Sequence, residues 1–117
     1  MKGTRGDDFF LLSMMESIDS ILDYSSVGRD AFMSDPMRRD AVICRLGVLG
    51  EAAKGVSEDV KSLNPDIPWQ NMRGLRNILV HNYFGVDLEI LWTIIEKDLP
   101  ELRVKLKALT ARLGNSE

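Results

Sequence analysis

Leu11, Met15, Ile18 and Leu22 recur at steps of four, three and four, which places an apolar stripe on one side of a first helix from about Asp7 to Tyr24. Asp7 and Asp8 suit the positive N-terminal end of that helix. The next stretch, SSVGRDAFMSD, is small and polar and is expected to be a linker. Asp35 and Pro36 then supply an N-cap and a first-turn proline for a second helix.

Val42, Leu46, Leu49, Ala53, Val56, Val60 and Leu63 continue the alternation of four and three and read as one inward-facing seam. The spacing predicts a single helix from Arg38 to Leu63, about 39 Å long at about 1.5 Å per residue, ending near Asn64. Gly47, Gly50 and Gly55 lower its intrinsic stability by up to about 1 kcal/mol each, so close approach of another backbone is expected there.

The prolines of NPDIP end this pattern. A third helix is expected from about Trp69 to Asn82, burying Trp69, Met72, Leu75 and Leu79, with Gly85 as its stop. Asp87 caps a last helix whose seam runs Leu88, Trp92, Ile95, Leu99, Leu102, Leu106, Leu109 and Leu113. That seam passes through Pro100, which removes the hydrogen bond to the Glu96 carbonyl and predicts a kink or short break near Asp98 with the apolar face in register. No stretch alternates with period two. The fold class is therefore an all-α bundle of four to five helices, the last kinked or split near Pro100. The long seams exceed what so small a bundle can cover, and a homodimer would use the surplus.

Composition narrows the setting. With 117 residues, 44% hydrophobic and 28% charged, the chain has one globular domain spanning 1–117, of which residues 1–6 are expected to be flexible. No apolar run reaches the roughly 18 residues a membrane span needs, and charges stand where a signal peptide is apolar, so a cytoplasmic location without membrane contact is expected. Cys44 is the lone cysteine and is expected to be a plain buried residue. One histidine gives no cluster for zinc, and neither a metal nor a cofactor is expected. The net charge of −3 argues against a broad basic surface, although it leaves room for a local basic cleft.

The single histidine stands in RNILVHNY, Arg76 to Tyr83. A lone histidine near a helix end is commonly structural, donating to a carbonyl or favouring the negative helix terminus, and the spacing alone demands no enzyme. On an α-helix Asn77 and His81 share a face, while Arg76 lies about 140° around from His81. The two would meet if the helix loosened near His81 or if two copies shared a cleft across a symmetry axis. Metal-free RNA cleavage needs a base for the 2′-hydroxyl, an acid for the 5′-oxygen and a cation against the transition-state charge. Two copies each of His81 and Arg76 would supply all three.

Three stretches carry a family resemblance: LGVLGEAAKGVSED, IPWQNMRGLRNILVHNYFGVD and LEILWTIIEKDLPELRVKLK. Together they resemble the HepT-like branch of the HEPN superfamily, the toxin half of HEPN and minimal nucleotidyltransferase toxin-antitoxin modules. The family signature of an arginine, four residues, a histidine, one residue and a tyrosine falls on Arg76, His81 and Tyr83. The resemblance implies a homodimeric, metal-independent endoribonuclease with Arg76 and His81 of both copies at the interface and an orienting role for Asn77. It further implies a cognate nucleotidyltransferase antitoxin that can transfer AMP from ATP onto Tyr83.

Arg73, one turn before Asn77, is a candidate RNA contact, and Arg38, Arg39 and Arg45 could widen a basic strip or form a solvated face with partial salt bridges. Glu51 is open between a partner for Arg76 and an exposed carboxylate, and has no catalytic role assigned. The alternative function is a non-catalytic helical module that docks a nucleotidyltransferase or binds nucleotide.

Overall fold

The computed structural model describes residues 5–72, 75 and 87–115. Every regular element among them is helical, as the periodicities require. In chain order these are α1 (Arg5–Tyr24), α2 (Arg29–Met33), α3 (Pro36–Gly55), α4 (Glu58–Leu63), α5 (described at residues 69–72 and 75), α6 (Leu88–Thr93), a π-helical segment (Ile94–Asp98) and α7 (Leu99–Asn115).

α1 packs mainly along α3 and also against α7. Its buried stripe is Leu11, Met14, Ile18 and Ile21, with Met15 and Leu22 half-buried beside it. The helix is thus turned slightly from the expected face, because both α3 and α7 must be covered. Asp19 at its edge accepts a 2.6 Å hydrogen bond from Arg103 of α7. That bond and the Asp19 charge hold the guanidinium above its ordinary range.

The expected linker contains a short helix. Gly28, with φ of +95°, takes a left-handed conformation that a side chain would strain, and it turns the chain into α2. α2 delivers Phe32 into the core at 0% exposure, where its ring lies 5.6 Å from that of Trp92. A five-residue helix is too short to show a period, so the linker reading missed it.

Asp35 caps α3 as expected, its Oδ1 accepting from the N–H groups of Met37 at 3.0 Å and Arg38 at 3.3 Å. The single long helix is not observed. α3 ends at Gly55, Val56 is extended, and Ser57 caps α4 by accepting from the Val60 N–H. The seam nevertheless stays buried through Val42, Leu46, Leu49, Ala53, Val56 and Val60, and fails only at Leu63, which is 62% exposed.

The break is pinned from α1. Asp7, buried at 1% exposure, accepts the Ser57 backbone N–H at 2.7 Å and the Ser57 hydroxyl at 2.8 Å. At Gly55 the close neighbour is the Phe10 ring rather than another backbone: a Cβ there would stand 2.6 Å from it. Cys44 is exposed, correcting the expectation of burial, because it lies on the side of α3 away from the seam.

The helical path does not stop at Pro100. The π segment takes one extra residue per turn, and the Leu99 N–H reaches the Ile94 carbonyl five residues back. Leu91, Ile95 and Leu99 are buried at two successive steps of four, which a regular α-helix would rotate off the core by about 80°. The wider winding absorbs that drift. Leu102, Leu106, Leu109 and Leu113 then continue the seam, while Trp92 is half-buried and Leu91 takes its expected place in the core.

Candidate functional site

The expected site residues Arg73, Arg76, Asn77, His81 and Tyr83 lie outside the described residues, as do Leu79, Asn82 and Gly85. The structure describes what leads into and out of their segment, namely α5 up to Leu75 and α6 from Asp87.

The entry is built by the turn between α4 and α5. Asn64, 2% exposed, donates from Nδ2 to the Val60 carbonyl at 2.8 Å and so terminates α4. Its own carbonyl accepts the Trp69 indole N–H at 3.0 Å and the Ile67 backbone N–H at 3.2 Å. Arg112 of α7 donates to Asn64 Oδ1 at 2.6 Å, and Lys105, two turns earlier on α7, donates to the Asp66 carbonyl at 2.9 Å. Trp69 and Met72 are buried, as their spacing predicts, whereas Leu75 is only half-buried.

The exit is fixed from the other side of the bundle. Asp87 Oδ1 caps α6 by accepting from the N–H groups of Glu89 at 2.9 Å and Ile90 at 3.3 Å. Glu89 pairs with Arg29 of α2, and the Phe32–Trp92 ring contact lies on the same pair of helices. α2, absent from the sequence reading, is therefore what holds the first turn after the motif.

A groove of about 550 Å³ lies beside α5 and is lined by Leu49, Met72, Leu75, Leu99 and Leu102 among others. Asp66, Asp98, Glu101 and Lys105 also line it. Lys105 is already paired with Glu101 at 3.3 Å, and among the described residues the Asp66 and Asp98 carboxylates have no cation against them.

The candidate basic strip at the start of α3 is also largely committed. Arg38 donates to the Tyr24 carbonyl at 3.0 Å and pairs with Asp35 at 3.3 Å, and Arg39 donates to the Met33 carbonyl. Arg45 is half-buried and has no hydrogen-bond or ion-pair partner among the described residues. Glu51 is exposed on α3. Among the described residues no group of three or more His, Cys, Asp or Glu side chains is placed to hold a metal ion, and no helix is long and apolar enough to cross a membrane.

Sequence reasoning found the caps Asp35 and Asp87 and the helix end near Asn64, but not the bonds of the Asn64 side chain to Val60 and Arg112.

Comparison with known proteins identifies the family. A family model for Ribonuclease HepT-like proteins matches residues 14–109. The chain is 37% identical over 110 residues to "Probable ribonuclease HepT" of Thermococcus cleftensis, covering 93% of this chain and 98% of that one. It is 35% identical over 99 residues to "Putative RNase MJ1380" of Methanocaldococcus jannaschii, covering 84% of this chain and 91% of that one. No solved structure matches. The matched region takes in the core helices and the whole Arg76 to Tyr83 segment, and the chain belongs to the HepT-like ribonuclease family.

Proposed function

We propose that this protein is the toxin of a toxin-antitoxin module and acts as a metal-independent endoribonuclease, with one composite active site formed between two copies. The observation that carries the reading is the Arg76, His81, Tyr83 spacing within a chain matched to a ribonuclease family over residues 14–109. One His81 takes the proton of the 2′-hydroxyl, whose oxygen attacks the adjacent phosphorus. The other His81 gives a proton to the departing 5′-oxygen. The products are a 2′,3′-cyclic phosphate and a 5′-hydroxyl, and each proton transfer contributes roughly 10² to 10⁴ in rate.

The two Arg76 guanidinium groups face the charge gathering on the phosphate oxygens, which their planar forks can hold in pairs. Asn77 orients the phosphate or the arginine, and Arg73 is a candidate contact further along the strand.

Neutralisation falls to a minimal nucleotidyltransferase. It transfers AMP from ATP to the Tyr83 phenol, forming an oxygen–phosphorus bond as the bond between the α and β phosphates breaks and pyrophosphate leaves. A negative nucleotide two residues from His81 then repels and obstructs the RNA backbone. Incubation of the purified protein with RNA in EDTA tests the reading: cutting with cyclic phosphate ends is expected, and cutting that requires an added divalent ion contradicts it. Intact mass of protein made with and without the nucleotidyltransferase tests the switch. A mass gain of one AMP that disappears in Tyr83→Phe is expected, and an unchanged mass contradicts it.

A further inference from the structure

We infer that Asn64, Trp69 and Arg112 form a latch that positions α5, and that the latch sets the turnover rate of the ribonuclease without contributing to RNA affinity. The inference rests on the reading that Arg76 acts in cleavage.

α5 is the only route by which the chain enters the motif, since Arg76 directly follows Leu75. Its first turn is bonded to the turn between α4 and α5 by the Trp69 indole N–H at the Asn64 carbonyl, 3.0 Å, and by the Met72 N–H at the Pro68 carbonyl, 3.2 Å. That turn is in its place because α7 grips it at two points, its start and its middle: Arg112 at Asn64 Oδ1, 2.6 Å, and Lys105 at the Asp66 carbonyl, 2.9 Å. Asn64 stands at the centre. It is 2% exposed and joins the end of α4, the indole of α5 and the guanidinium of α7 through three different groups of one residue.

Packing alone would not fix α5 so closely. Trp69, Met72 and Leu75 are apolar contacts that tolerate small rotations, whereas a hydrogen bond weakens steeply with angle. Leu75, the last described position of α5, lies six residues after Trp69, about 9 Å along the helix, so a tilt of about 6° at Trp69 carries the point where the chain enters the motif about 1 Å. A displacement of that size at a reacting group can cost on the order of 10²-fold in rate. Overall RNA affinity is spread along the strand and is less sensitive to it. The latch lies on the α4 and α7 side and belongs to neither the motif nor the groove lining.

Two variants test this in the full-length protein. Arg112→Ala removes the exposed partner of Asn64, and Trp69→Phe removes the indole N–H while keeping an aromatic ring in place. In each, kcat for RNA cleavage is expected to fall about tenfold or more with KM within about twofold, while circular dichroism and assembly size match the parent. In Arg112→Ala the Trp69 indole proton, followed by NMR, is expected to exchange faster with solvent than in the parent.

Parent kcat in both variants, with fold intact, overturns the latch. A raised KM with kcat kept in Arg112→Ala assigns that residue to RNA contact and also overturns it. Loss of activity that only tracks loss of folded protein does the same. If the parent protein does not cut RNA at all, the ribonuclease reading fails and the positioning claim falls with it. That outcome is distinct from a cutting parent with unaffected variants, which removes the latch alone.

Discussion

The Asp7 carboxylate, buried at 1% exposure, accepts both the backbone N–H and the hydroxyl of Ser57, fifty residues away, at 2.7 and 2.8 Å. One side chain thereby ties the first turn of α1 to the place where the chain breaks between α3 and α4. Asp7→Ala leaves the Ser57 N–H without its buried acceptor and removes hydrogen bonds to a charged group, each worth roughly 1.5–3 kcal/mol. A loss of about 2–3 kcal/mol in urea unfolding is expected. Ser57→Ala, which also loses the cap on α4, should cost about 1–2 kcal/mol. The double variant should cost less than the sum, because both changes remove the same pair. Full additivity would mean that the pair does not act as a unit.

Phe32 reports on α2. It is fully buried from a helix of five residues and meets Trp92 at 5.6 Å. Phe32→Ala should cost about 3–5 kcal/mol, the usual range for emptying a buried aromatic site. A loss under about 1 kcal/mol in thermal or urea unfolding would show that α2 is a surface connector after all.

The break after Gly55 separates two residues that an unbroken seam treats alike. Val60 is fully buried and Leu63 is 62% exposed. Val60→Ala is expected to cost about 2 kcal/mol, from the lost methyl groups and the space they leave. Leu63→Lys should stay within about 0.5 kcal/mol, as surface changes do. Equal losses at the two sites, measured by denaturant unfolding, would restore the single long helix.

What the sequence made legible was local. Asp35 and Asp87 are caps whose acceptor geometry is set within three residues, and both are seen. The apolar seam of the last helix survives Pro100, because its leucines specify the face more strongly than the proline specifies an end. The break at Val56 was hidden because the apolar spacing runs through it unchanged, while the residue that pins the break, Asp7, lies fifty positions away. Cys44 stands within an apolar helical pattern but off the Val42, Leu46 and Leu49 stripe that α3 buries, and it is exposed.

The site divides in the same way. Arg76, His81 and Tyr83 were legible as a spacing, since that is a property of chain order. The groove beside α5 was not, because it exists only once α5, the π segment and α7 lie together. Nor was the grip of Arg112 on Asn64, two residues forty-eight positions apart whose pairing depends on how α7 crosses the turn.

The central claim is that His81 carries the proton transfers of RNA cleavage, and single-turnover cleavage in EDTA by His81→Ala tests it most directly. The variant is expected to keep the helical signal and assembly size of the parent while its cleavage rate falls by about 10² or more, the lower range for one general acid or base. Cleavage at the parent rate by a correctly folded His81→Ala protein would contradict the account.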